Sequence, residues 1–265
     1  MDLHITTVSG DEIQLGEHNY KTTITQTQKW LPTGLRLIRE VKTDNKCSTV
    51  CHYKGYTYVG HWGGAIDRID QHGRVTKAFI KLDNKVISLA ANKNRLYTFI
   101  GELVLNPFKV FVHNLNDGQL INFSIFSLFY YNGQNITLIG DNQLAVGDWY
   151  YKKIIIYSLY GHVIRTVPFP PSLTMSCYGC MSSCGDDSVV ISDCSAGKVV
   201  RMSLKDGSLL WSSDRVTNPG GIVHHPAGYV LVESSQVDNT TISVLDEKDG
   251  KLIDRLNVNK TMLSF

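Results

Sequence analysis

The chain has 265 residues, of which 43% are hydrophobic and 19% charged, and its 26 basic and 24 acidic side chains leave a formal net charge of +2. That balance lacks the basic excess or stripe of a typical nucleic-acid binder, and no stretch approaches the roughly 18–20 apolar residues that span a bilayer. Short β-branched and aromatic runs, with no long segment of 3.6-residue apolar period, point instead to an all-β chain.

In chain order, residues 1–43 carry strand-like segments at Leu3–Val8, Glu12–Leu15 and Thr22–Thr27, then a PTG turn at Gly34 and a run over Leu35–Val41. From residue 44 onward one unit recurs. In 44–85, Ser48–His52 and then YTYVGHWGGAIDRIDQHG lead to a turn at Gly73, followed by Arg74–Ile80. In 86–131, Val86–Ala91 opens, Gly118 marks the turn, and Leu120–Ile125 follows. In 132–173, LAVGDWYYKKIIIYSLYG ends at Gly161; in 174–217, VVISDCSAGKVVRMSLKDG ends at Gly207. In 218–257, Gly220–His224 opens a unit whose turn falls at Gly250.

The five glycines lie 45, 43, 46 and 43 residues apart. Glycine supplies the positive φ that a tight strand-to-strand turn demands. A period of about 40–50 residues, with four short strands per unit, is the signature of propeller blades. With 1–43 read as the same unit, the expected fold is all-β, a six-bladed β-propeller of four-stranded antiparallel blades forming one domain. Residues 258–265 would be a tail or the closing strand. A ring also removes the exposed edges that an open array of hairpins would present.

Aligned on their turns, the units bring Asp148, Asp193 and Glu233 to the end of the second strand, with His61 in the same place and Glu102 near it. A ring of carboxylates at a channel mouth could hold a divalent cation through oxygen ligands. Repetition in most units favours the plainer reading, a loop carboxylate accepting backbone N–H groups. Trp62 follows His61, and Trp149, Tyr150 and Tyr151 follow Asp148. Tryptophan and tyrosine are enriched at protein interfaces, so His61, Trp62, Trp149, Tyr150 and Tyr151 are the expected partner-binding residues. Trp211, on an outer strand, reads as a wedge between blades.

Cys177, Cys180, Cys184 and Cys194 form a C-x2-C-x3-C run with one further thiol. Four thiolates could bind zinc, but odd spacing along a strand sends neighbouring side chains to opposite faces. Small buried residues are the simpler expectation, and a disulfide framework is not expected without a secretory signal. The N-terminus MDLHITTVSGDE has an early acid and no apolar core, which leads to an intracellular, cytoplasmic expectation. His224 and His225 look like decoration on a hairpin, and no nucleophile elbow, zinc-protease helix or P-loop is present.

The segment NPGGIVHHPAGYVLVESSQVDNTTISVLDEKDGKL resembles an NHL repeat. It has a Pro-Gly-Gly-Ile opening, a His-Pro-x-Gly hairpin, an acid after the second strand and a final Asp-Gly turn. Units 134–165 and 186–209 follow its second half. SLKDGSLLW is also similar to the D-G-x-x-x-W ending of quinoprotein-type propeller repeats, and WD-type propellers are neighbours of both. NHL propellers often form the C-terminal module of tripartite-motif (TRIM) ubiquitin ligases, where they recruit substrates or RNA. The resemblance therefore implies a recognition module, and no binding residue is carried over from the family.

The expected function is a non-enzymatic scaffold that binds a protein partner through one face, with no cofactor and no membrane. Two alternatives are a divalent-metal hydrolase or lyase using Asp148, Asp193 and Glu233 over the channel, and an RNA-binding propeller.

Overall fold

The structure, a computed structural model, describes residues 4–8, 12–18, 36–43, 47–100, 108–126, 136–174, 179–235 and 239–259. From residue 47 onward the described residues form five four-stranded antiparallel blades. Blade one comprises β4 (Cys47–Tyr53), β5 (Tyr56–His61), β6 (Ala65–Ile69) and β7 (Val75–Lys81). Blade two comprises β8 (Val86–Asn92), β9 (Arg95–Ile100), β10 (Phe108–Asn114) and β11 (Leu120–Phe126). Blade three is β12 (Ile136–Ile139), β13 (Gln143–Asp148), β14 (Lys153–Ser158) and β15 (Val163–Pro168). Blade four is β16 (Cys180–Ser183), β17 (Ser188–Asp193), β18 (Lys198–Ser203) and β19 (Leu209–Ser213). Blade five is β20 (Pro219–His225), β21 (Tyr229–Ser235), β22 (Asn239–Asp246) and β23 (Leu252–Asn259).

The expected sixth blade is not formed. The N-terminal strands β1 (His4–Val8), β2 (Glu12–His18) and β3 (Arg36–Thr43) make a three-stranded sheet in which β2 and β3 run parallel. A long connection over residues 19–35 permits that pairing, whereas a tight hairpin would force antiparallel strands. The sheet meets the blades through β1, which lies against β4 and β20. The count is thus five blades plus this sheet. Gly34, Trp30, the segment Thr22–Thr27 and residues 260–265 lie outside the described residues, as do Glu102 and Cys177.

The middle strands read as continuous apolar runs because neighbouring blades cover both of their faces. Val189, Val190 and Ile191 of β17 and Ile154 and Ile156 of β14 are wholly buried. Each such side chain contributes roughly 1.5–3 kcal/mol of burial. Hydroxyls on the innermost strands then join one blade to the next. Ser48 donates to Val86 O, and Ser88 Oγ accepts from Ile136 N at 3.1 Å. Thr137 Oγ1 accepts from Ser183 N at 3.0 Å, and Ser182 Oγ from His224 N at 3.1 Å.

Farther out, arginines reach across to turn carbonyls of the following blade: Arg68 to Leu115 and Asn116, Arg165 to Leu204, and Arg201 to Glu247. Trp211 is also a link, since its Nε1 donates to Glu247 O at 2.8 Å. These bonds satisfy buried polar groups while fixing the blade-to-blade angle.

The repeated turn has a local cause. Asp70, Asn114, Ser158, Ser203 and Asp246 each accept a hydrogen bond from the backbone N–H two residues on, into which the turn is wound. Gly207 then takes a φ of +77°, and a Cβ there would sit 2.4 Å from Pro168 O of the preceding blade. Gly197 also has positive φ (+61°) but open space around it. Gly197→Ala should therefore cost only about 1 kcal/mol for the left-handed backbone. Gly207→Ala should cost roughly 2–4 kcal/mol, because the blade contact must also open. Urea unfolding of both variants checks the difference; equal losses would mean that the close approach carries no weight.

Candidate functional site

The antiparallel meander places the loops joining second to third strands on one face of the ring and the hairpins joining first to second strands on the other. Trp62 lies in the β5–β6 turn, and Tyr150 and Tyr151 lie in the β13–β14 turn, both on the first face. Trp62 is 46% exposed, Tyr150 58% and Tyr151 55%. Lys85 Nζ stands 3.1 Å from the Trp62 ring centre, and Lys153 Nζ stands 5.1 Å from that of Tyr151. Tyr150 and Tyr151 meet edge to face, with centroids 4.9 Å apart. These are broad aromatic surfaces flanked by cations, a combination suited to partner contact.

The other two residues of the expected set lie inside. Trp149 is 2% exposed and stacks on Phe169 with centroids 5.2 Å apart. Its ring folds back over Gly147, where a Cβ would come within 2.6 Å of it. His61 is fully buried, and its Nε2 donates to Asp67 Oδ2 at 2.9 Å. Burial alone would push the His61 imidazole down. Hydrogen bonding to Asp67 and Cys47 outweighs that and carries it up to about 9.

The carboxylates hold loops. Asp148 Oδ1 accepts from Tyr151 N at 3.1 Å, and Asp193 Oδ1 from Ala196 N at 3.0 Å. The second oxygen of Asp193 takes both the N–H and the hydroxyl of Thr174. Glu233 is not at a strand end, because β21 continues to Ser235 and Glu233 pairs opposite Ile242. Asp148, Asp193 and Glu233 are not brought together as ligands. Cys194 is disulfide-bonded, contrary to the expected absence of disulfides, while Cys47, Cys51, Cys180 and Cys184 take part in no disulfide.

On the opposite face, a cluster that the sequence does not announce joins blades four and five. Cys184 follows β16, His224 lies on β20, and Glu247 follows β22. One ligand atom from each falls within 4.8 Å of the others. His224 Nε2 donates to Glu247 Oε2 at 2.8 Å, and Arg201 Nη2 lies 3.3 Å from Glu247 Oε1. The bond from His224, with Arg201 adding to it, holds the Glu247 carboxyl below its ordinary range. Burial pushes the Cys184 thiol up to about 12. His225 is also more than decoration: it is buried, accepts from Ala227 N at 3.1 Å and stacks on Tyr229. A sequence separation of 23 between His224 and Glu247 hides their meeting from any local pattern.

No protein-family model matches the chain, and no curated protein matches it. Among solved structures, a protein of unknown function from Bacteroides caccae is similar at 11% identity and a TM-score of 0.63, covering 82% of this chain and 83% of its own. A chain of a nidogen/laminin complex is similar at 13% identity and a TM-score of 0.58, covering 79% of each. The structure of U3-55K gives 9% identity and a TM-score of 0.58 over 81% of this chain. The computationally designed Ika8 protein gives 16% identity and a TM-score of 0.52 over 84%. The present chain spans 65% of the length of each of the last two. With the blades described above, these likenesses show a β-propeller fold.

Proposed function

We propose that this propeller is a protein-recognition scaffold whose binding face is centred on Trp62, Tyr150 and Tyr151. The observation that carries the proposal is the exposure of these three rings on one face, each on a turn held in place from below. Asp148 fixes the 149–152 turn through Tyr151 N, and Gly64 N closes the 61–64 turn on His61 O at 3.0 Å. Preorganised aromatic side chains lose little entropy on binding. The likeness to a chain of a nidogen/laminin complex, a protein bound to another protein, is in keeping with this use of the fold. The NHL-like character of 218–252, and with it a substrate-recruiting role in a ubiquitin-ligase system, belongs to the same proposal. It is supported by the His-Pro-Ala-Gly hairpin, in which His225 caps the turn and Gly228 has a φ of +87°.

The test is crosslinking capture with the full chain as bait, with and without nuclease. Trp62→Ala and the Tyr150→Ala/Tyr151→Ala pair should each weaken capture of a common partner at least about tenfold, while unfolding shifts by less than about 0.5 kcal/mol. A control on the outer rim, Leu209→Ser/Leu210→Ser, where both leucines are exposed, should leave capture intact. Partners retained by the aromatic variants, or lost on nuclease treatment, would overturn the protein-recognition reading.

A further inference from the structure

We propose that Cys184, His224 and Glu247 form a site for a divalent transition metal, with zinc as the ion that the donor set fits best. A sulfur, an imidazole nitrogen and a carboxylate oxygen are the three ligand types zinc combines, and the sulfur disfavours magnesium or calcium, which take oxygen donors. Among the described residues this is the only place where three such atoms converge.

The site is built. Arg201 donates from Nη1 to Glu247 O at 2.8 Å and approaches Oε1 from Nη2, which leaves Oε2 turned to His224. Its Nε and Nη2 also reach Ser188 Oγ at 3.2 and 3.0 Å, and that hydroxyl donates to Cys184 O at 2.7 Å. A single guanidinium thus positions the backbone of one ligand and the side chain of another, as outer partners do at metal centres. Arg201 supplies one positive charge against the two negative charges of a thiolate and a carboxylate, so a dication is still favoured.

Cys184 is 1% exposed, whereas His224 and Glu247 are partly open. A substrate could not reach the sulfur, but an ion entering past Glu247 can, and a water could complete four-coordination from that side. The ion would release the Cys184 thiol proton to solvent and take the place of the His224 Nε2 proton, the imidazole then carrying its proton on Nδ1. The 2.8 Å separation of His224 and Glu247 would widen to about 3.3 Å, given ordinary zinc–ligand lengths. Since the ligands come from the first hairpin of blade four and from the first strand and last turn of blade five, binding would clamp the two blades. This inference does not depend on the aromatic face.

Cobalt(II) titration of the full chain, followed optically, provides the test, with zinc then added as competitor. The expected result is one equivalent of cobalt giving a thiolate-to-metal charge-transfer band, displaced by zinc, together with a higher melting temperature. Cys184→Ser should abolish the band, and Cys180→Ser should keep it. Glu247→Gln, which retains the size and an acceptor oxygen, should weaken affinity about tenfold or more and covers the case in which a cysteine variant fails to fold. Absence of a thiolate band at saturating cobalt, persistence of the band in Cys184→Ser, or unchanged affinity in Glu247→Gln would overturn the site.

Discussion

Trp149→Ala is expected to lower unfolding free energy by about 3–5 kcal/mol, the usual cost of truncating a large buried aromatic. The reason is geometric. The indole sits in the cluster of Ile154, Phe169, Leu173 and Val189, stacked on Phe169 at 28° between planes. The turn in which it begins points outward, yet Gly147 two residues earlier leaves a vacancy into which the ring folds. Truncation opens a cavity between blades three and four and removes an aromatic pair worth about 0.5–1.5 kcal/mol beyond its area. For a chain of this size the melting temperature should fall by about 10 °C. Trp149→Phe, which keeps the stack, should recover part of the loss. A melting temperature within a degree or so of wild type would show that the ring is not a packing element. Any loss of binding in Trp149→Ala would then have to be read as contact rather than collapse.

Trp149 also marks where sequence reasoning stops. DWYYKK reads as an exposed aromatic loop, and two of its three rings are exposed. What separates Trp149 from Tyr150 and Tyr151 is a glycine on the preceding strand, whose significance appears only once the ring is seen above it. The blades were legible for the opposite reason. Each turn needs a polar side chain at its start and a glycine at its left-handed position, and both requirements fall within five residues. The first 43 residues carry strand-like runs too, but whether β2 pairs parallel or antiparallel with β3 depends on a connection without apolar periodicity. A six-blade count was therefore natural from pattern and incorrect in topology.

The same distinction runs through the polar residues. Asp148 and Asp193 could be read as loop anchors, because each accepts a backbone N–H three residues on. Glu233 joined them by alignment only, since β21 is two residues longer past that point than the equivalent strands. Cys184 and Glu247 lie in turns of two different blades and His224 on a strand of the second, so their convergence is a property of the ring. The C-x2-C spacing drew attention to the right stretch of chain but to the wrong partners for Cys184.

His61 offers the second large effect, and its sign with pH can be worked out. The folded imidazole has a pKa of about 9 against an ordinary 6.5, so the native state holds its proton more tightly than the unfolded chain. The stabilisation is complete below about pH 6.5 and disappears as pH rises through 9. For Asp67, burial alone would raise the carboxyl, but the hydrogen bonds from His61 and from Ala78 N bring it below the ordinary 3.8. Its contribution is present above that value and lost as pH falls through the lowered one. The pair is therefore at full strength between about pH 4 and 6.5. Across pH 6 to 9.5, wild type should lose about 3 kcal/mol by urea unfolding, whereas His61→Ala should show a flatter profile. At pH 6, His61→Ala should be destabilised by about 3–5 kcal/mol, because Asp67 is left buried without its counter-charge. The loss is amplified by position: Asp67 Oδ1 also holds Ala78 N at 2.7 Å, with Ala78 at a φ of +46°, so the pair ties β5 and β6 to the bulged β7. Replacing both partners by apolar residues, His61→Phe with Asp67→Leu, should recover much of the stability and remove the alkaline limb. Parallel pH profiles for wild type and His61→Ala would show that His61 is neutral in the fold and that the pair is an ordinary hydrogen bond.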